Sequence, residues 1–186
     1  MTKWLSHRMV ERGIIKEEEQ ELYQFGIRNG MILLLNVVTA LVIGLLTEQL
    51  AVVAVFTLSF MVLRSYTGGY HSDSRIFCYL GSNLVLLVPV YTQAVFYKTS
   101  LAWLLAVLLV SAGIIFLLSP MHSKNRKLDK EEQKHFGRKA RLIAALELAV
   151  LGILWHAGQV PYAYAVYTGI CITALFMLVG KAQLWI

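Results

Sequence analysis

Six apolar runs, parted by segments that hold nearly all of the charge, constrain this chain more than any other feature of its sequence. They cover residues 27–46, 50–63, 76–97, 101–118, 142–157 and 161–180. Crossing a hydrocarbon core takes ~20 apolar residues as a helix, the form in which every backbone polar group is satisfied inside its own segment. The runs therefore predict an all-α, polytopic membrane protein with six transmembrane helices, the second being short unless it continues towards Tyr66. Composition agrees, with 58% hydrophobic and 15% charged residues against roughly 45–50% and about 25% in soluble domains.

The connecting segments give the orientation. Lys3, Arg8, Arg12, Lys16 and Arg28 precede or open the first run, and Arg64 and Arg75 separate the second from the third. Lys124, Arg126, Lys127, Lys130, Lys134, Arg138, Lys139 and Arg141 separate the fourth from the fifth, and Lys181 follows the sixth. Of the 17 Lys and Arg, only Lys98 falls on the other side. Positive residues stay in the cytoplasm, so both termini and the segments 64–78 and 119–141 are expected there. The net charge of +6 thus reads as topology, and no DNA- or RNA-binding motif accompanies it, so nucleic acid is not an expected partner.

The chain parses as a single integral membrane domain, 1–186. An interfacial helix (1–26) is followed by spans one and two (27–63), a polar loop (64–78), spans three and four (76–118), a basic loop (119–141), and spans five and six (142–180). Within 1–26, Trp4, Leu5, Met9, Ile14 and Ile15 recur at helical intervals among charges. That is the pattern of an amphipathic helix lying on the membrane, with Trp4 at headgroup level. The same charges, without an apolar core, set this segment apart from a secretory signal. The charged run 16–21 reads as a solvated helical face.

The polar loop 64–78 carries the chemistry. It contains Gly68-Gly69, His71 and Cys78, and a thiol near an imidazole is a minimal kit for nucleophilic catalysis: the base takes the proton and the thiolate attacks a carbonyl. On one straight helix His71 and Cys78 would lie ~10.5 Å apart along the axis, so a working pair needs a bend. Gly68-Gly69 permits backbone angles barred to other residues, and Ser72, Asp73 and Ser74 are helix N-caps. With Ser74 as the cap, Cys78 falls in the first turn or just past it, where the helix dipole favours thiolate. Backbone N–H groups near Gly68-Gly69, or at that helix start, can hold an oxyanion. Arg64 and Arg75 can grip a carboxylate or stabilise the loop, while Asp73 is too near His71 in sequence to be assumed to orient its ring. The cytoplasm keeps a thiol reduced, and the cysteines Cys78 and Cys171 make no disulfide framework. On residues alone other readings stay open: a Cys at the end of a span is also a palmitoylation site, and Gly-Gly is also an ordinary turn.

The pattern Arg64-x6-His71-x6-Cys78, with Gly68-Gly69 before the His, resembles the signature of the accessory gene regulator B (AgrB) family. These are membrane-embedded cysteine endopeptidases that process quorum-sensing pro-peptides in Gram-positive bacteria. Residues 19–26 resemble the family's lead-in to its first span. Residues 119–128, followed by Glu131-Glu132 and a basic stretch, resemble its central cytoplasmic loop, although His122 stands where many relatives carry an acidic residue. The resemblance implies that Cys78 is the nucleophile and His71 the base, at the cytoplasmic side of the cell membrane. It implies a cut in the C-terminal part of a short amphipathic pro-peptide through a thioester acyl-enzyme, with ring closure to a thiolactone or lactone. A homodimer is also expected from it.

The loop 124–141 holds eight Lys and Arg against Asp129, Glu131 and Glu132. It reads both as a topology anchor on anionic lipid and, from the resemblance, as a dock for an acidic pro-peptide tail through Lys124, Arg126, Lys127 and Lys130. Glu147 is an ionisable residue inside the fifth run and so a functional candidate; orienting His71 and pairing with Arg141 are both open to it. His122 and His135 lack HExxH or paired Cys/His spacing, so neither metal nor other cofactor is expected. Cys171 reads as packing. The alternative function is a non-enzymatic transporter or exporter of small peptides, resting on six spans and Glu147; a scaffold holding a sensor partner is a third.

Overall fold

Helix stops shape this chain, and in the computed structural model, which describes residues 2–68, 75–121 and 129–183, three of them are built alike. The helices are α1 (Thr2–Glu11), α2 (Gln20–Leu46), α3 (Leu50–Thr67), α4 (Arg75–Tyr91), α5 (Gln93–Lys98), α6 (Leu101–Leu118), α7 (Lys130–His156) and α8 (Val160–Gln183). At the end of α1, Ile14 N–H donates to Met9 O and Gly13 N–H to Val10 O, both at 2.9 Å, with Gly13 at φ +66°. At the end of α7, Gln159 N–H donates to Leu154 O at 2.9 Å and Gly158 N–H to Trp155 O at 3.1 Å, with Gly158 at φ +72°. The end of α2 repeats the pattern through Gln49 and Gly44, but Glu48 holds the left-handed position at φ +57°. This double bond satisfies the orphan carbonyls of a helix and turns the chain sharply.

The stop at Gly13 corrects the expected interfacial helix. Instead of running to residue 26, α1 ends at Glu11, and residues 20–26 are already the first turns of α2. The fifth run is corrected in the same way. α7 begins at Lys130, because Asp129 Oδ1 accepts from Glu132 N–H at 2.7 Å while Glu132 Oε2 accepts from Asp129 N–H at 3.3 Å, a capping box. Half of the expected basic loop is therefore helix. The third run, expected as one element over 76–97, is divided at Thr92 into α4 and α5, three residues after Pro89, whose missing N–H weakens the ladder.

Among the described residues four helices are long and apolar enough to cross a membrane: α2 with the turn before it (Glu17–Leu46), α3, α6, and α8 to Ala182. α4 is apolar but only 17 residues long. The C-terminal part of α7 keeps Lys139, Arg141 and Glu147.

The chain forms two compact units, Met1–Thr39 and Ala40–Ile186. In the first, the Arg8 guanidinium lies 5.2 Å over the Trp4 ring, His7 Nε2 lies 3.5 Å from Glu11, and Trp4 and Leu5 are exposed. In the second, α8 is the central helix and packs against α3, α6 and α7. Ala163, Ala165 and Ala174 on α8 and Ala140 and Ala144 on α7 are buried. A Cβ added at Gly169 would stand 2.5 Å from Ser59 Oγ, so α8 and α3 nearly touch through their backbones there. Small residues at helix contacts allow this approach where apolar solvent offers no hydrophobic drive. Phe56, Phe96 and Tyr164 fill one core cluster, and Leu63, Ile115, Ile170 and Met177 the other.

Candidate functional site

The polar loop begins where α3 stops. Gly68 has φ +71° and ψ −156°, a region only glycine occupies without strain. Its N–H donates to Arg64 O at 3.4 Å, and the Arg64 Nη1 donates back to Gly68 O. The same guanidinium lies 5.4 Å over the Phe176 ring of α8, a cation–π contact that holds this end of α3 to the bundle. Gly68 thus excludes a single straight helix from Arg64 to Cys78. The next helix, α4, opens at Arg75, and Cys78 is its fourth residue, inside the turn where unpaired N–H groups favour an anion. Gly69, His71 and Asp73 lie outside the described residues, as do the side chains of Arg75 and Cys78.

The basic segment begins against the same point. Met121 N–H donates to Thr67 O at 2.9 Å. A Cβ built on Gly68 would meet Met121 O at 2.5 Å, and one on Gly137 of α7 would meet Pro120 Cδ at 3.0 Å and Ser119 O at 3.4 Å. Residues 119–121 are therefore pinched between the glycine that caps α3 and a glycine of α7. Around this clasp, Tyr66 and Phe136 rings pack at 6.3 Å, Lys139 Nζ lies 5.7 Å over Tyr66, and Arg141 Nε donates to Phe116 O at 3.2 Å. His122, Lys124, Arg126 and Lys127 lie outside the described residues, with the side chain of Lys130.

Glu147 is hydrogen-bonded to α3. Its Oε2 accepts from Ser59 Oγ at 3.0 Å, joining α7 to α3 about 13 Å back along that helix from Gly68 at 1.5 Å per residue. Arg141, weighed as its partner, instead donates to Phe116 O. Among the described residues no cluster of three or more His, Cys, Asp or Glu is arranged to hold a metal.

The family model for accessory gene regulator B matches residues 1–178. The chain belongs to this family. Among its relatives are a putative AgrB-like protein of Clostridium perfringens (strain SM101 / Type A), 23% identical over 148 residues, covering 76% of this chain and 69% of the relative. A putative AgrB-like protein 2 of Clostridium perfringens (strain 13 / Type A) is 24% identical over 131 residues, covering 67% of this chain and 61% of its own length. The accessory gene regulator protein B of Staphylococcus intermedius is 26% identical over 156 residues, with 82% and 80% covered. No solved structure matches the chain. Membership makes this a membrane-associated protein of accessory gene regulation, the quorum-sensing system, in keeping with its apolar helices.

Sequence reasoning missed the residues that build this junction, Thr67, Gly137 and the backbone of Met121, and it missed Ser59 as the partner of Glu147. Gly137 left a signal, since a lone glycine inside a helical stretch has a packing reason more often than not. The Thr67–Met121 bond left none, because backbone groups carry no sequence label.

Proposed function

We propose that this AgrB-family chain is a membrane-embedded cysteine endopeptidase that cuts the C-terminal part of a short, amphipathic quorum-sensing pro-peptide. His71 takes the proton of Cys78, and the thiolate attacks the scissile carbonyl. The tetrahedral oxyanion is held by backbone N–H groups of the 68–78 segment. On its collapse the C–N bond breaks, His71 protonates the leaving amine, and a thioester joins the peptide to Cys78. A Cys or Ser side chain of the bound peptide then attacks the thioester, closing a thiolactone or lactone and releasing the thiol. Restricted water at the membrane edge and the tethered nucleophile favour ring closure over hydrolysis.

The observation that carries this reading is the break of α3 at Gly68 with Cys78 in the first turn of α4, in a chain of this family whose motif supplies a His within the intervening link. The reading includes six spans, with α4 and α7 completing the four longer ones, and both termini, His71 and Cys78 at the cytoplasmic face. The cation bias supports that orientation. Lys124, Arg126, Lys127 and Lys130 receive the acidic tail of the peptide.

The test uses the protein in liposomes and a synthetic amphipathic peptide with a central Cys and an acidic tail. Cys78→Ala and His71→Ala are expected to abolish cleavage while insertion is kept, and hydroxylamine is expected to intercept the thioester in the wild type. Cleavage at the wild-type rate by Cys78→Ala would remove the mechanism. Peptide flux that survives Cys78→Ala but fails in Glu147→Gln would support an exporter instead.

A further inference from the structure

The clasp described above does more than end a helix. The segment 119–121 touches Gly68 on one side and Gly137 on the other, and each added Cβ would collide with it. Thr67 O closes the contact from α3 by accepting the Met121 N–H at 2.9 Å. Two chain segments leave this point. From Gly68, three residues of chain, about 11 Å at full extension, lead to His71, and from Met121 the same length leads to Lys124. The base of the reaction and the first cation of the tail dock are thus each within three residues of one junction, although they are 53 positions apart in sequence.

We propose that the Gly68–(119–121)–Gly137 clasp is a positioning element that sets the separation between the cleavage loop and the basic segment, so that one peptide engages both at once. The inference rests on the endopeptidase reading for its two contact points. A ligand held at two points gains affinity only when their separation suits it, because the second contact forms at high effective concentration. Glycine is required on both sides because backbone must approach backbone. The clasp acts through the loops it holds and touches no reacting atom.

The experiment measures KM and kcat for two synthetic peptides, both amphipathic with a central Cys. One has an acidic tail, and in the other each tail Asp and Glu is changed to Asn or Gln. The protein is held in phosphatidylcholine nanodiscs, so that anionic lipid does not compete for the basic segment. Gly137→Val forces the clasp apart from α7, and Met121→Pro removes the N–H donor without adding bulk at α7. Both are expected to raise KM for the acidic peptide about tenfold, part of the hundredfold or more that linked contacts contribute. The values of kcat for both peptides and KM for the neutral one are expected to stay as in the wild type. Met121→Leu, which keeps the N–H, is expected to behave as the wild type. Binding of the two peptides to the Cys78→Ala protein, with and without Gly137→Val, reads the same preference without turnover. Equal losses for both peptides, or an unmoved preference for the acidic one in both variants, would overturn the proposal. Absence of cleavage by the wild type would instead remove the endopeptidase reading, with the binding comparison still deciding whether the clasp governs tail recognition.

Discussion

Replacing Gly68 by alanine tests the turn that starts the 68–78 segment. Two costs combine. Holding a non-glycine residue at φ +71° and ψ −156° costs on the order of 1–3 kcal/mol. The new Cβ would also stand 2.5 Å from Met121 O, a backbone atom, and ordinary contact of about 3.4 Å needs a displacement of about 0.9 Å. That movement pulls against the Met121–Thr67 bond, which is worth about 1 kcal/mol. The loss in stability is expected at about 2–4 kcal/mol, and at about 2–4 °C per kcal/mol for a chain of this size the melting temperature in detergent should fall by roughly 4–16 °C. Cleavage should fall further, since the altered backbone at Gly68 shifts the chain that leads straight to His71, and a misplacement near 1 Å costs about a hundredfold in rate. Gly113→Ala is the matched control: Gly113 lies inside α6 with nothing within 4 Å of its added Cβ, and alanine there gains up to about 1 kcal/mol of helix propensity. If Gly68→Ala melts like the wild type, neither the left-handed turn nor its contact with Met121 contributes to stability, and if it cleaves like the wild type the turn does not govern the loop.

The other perturbations probe the bundle. Glu48→Gly relieves a left-handed residue at the α2–α3 turn and should stabilise by about 1 kcal/mol, so a lower melting temperature would count against the assigned turn. Gly169→Ala drives a Cβ to 2.5 Å from Ser59 Oγ and should destabilise by about 1–3 kcal/mol. Ser59→Ala removes the donor to Glu147, at a similar cost of about 1–3 kcal/mol. Because the second change removes the obstacle to the first, the double variant should lose less than the two single losses together, and strict additivity in a thermal double-mutant cycle would show that the helices do not meet there. Tyr164→Phe breaks the 2.5 Å hydroxyl contact with Thr92 and should cost about 1 kcal/mol, an effect that Thr92→Val should abolish in the double variant.

Much of the architecture could be read from residue order because membrane helices announce themselves by apolarity alone. The runs at 101–118 and 161–180 return as α6 and α8 within a few residues, the break at Thr47–Gln49 is an observed turn, and that expected at Gly158–Pro161 is shorter, α8 starting at Val160. What escaped was set by local backbone chemistry inside otherwise uniform stretches. Gly13 ends α1 in a segment whose apolar spacing alone suggests one continuous helix. Asp129 and Glu132 start α7 inside a run of cations that reads as loop, although their D-x-x-E spacing was a visible cap signal. Pro89 acts at a distance, the break coming three residues later. At the proposed site, the thiol, the imidazole and the glycines stood out by residue type. The clasp did not, because it is made of a carbonyl, an amide and the absence of two side chains.

That composition follows from where the clasp sits. At the edge of a bundle whose neighbours are lipid, apolar burial does not distinguish one loop position from another, so a loop is located by hydrogen bonds and close backbone approach. The same clasp joins the loop to a rod. With α7 starting at Lys130, the exposed side chains of Lys134, Arg138 and Arg141 recur at four- and three-residue spacing, which puts them on one helical face. Gly137 lies within that charged stretch, so the helix that carries these cations is the one that grips residues 119–121. Only 122–128 remains as the link between Met121 and the cap at Asp129, and it brings Lys124, Arg126 and Lys127. Positive charge here is thus divided between residues 122–128 and a face of fixed geometry on α7. A face of that kind presents its cations at set spacing to whatever lies beside it, whereas a free loop would pay conformational entropy to do the same.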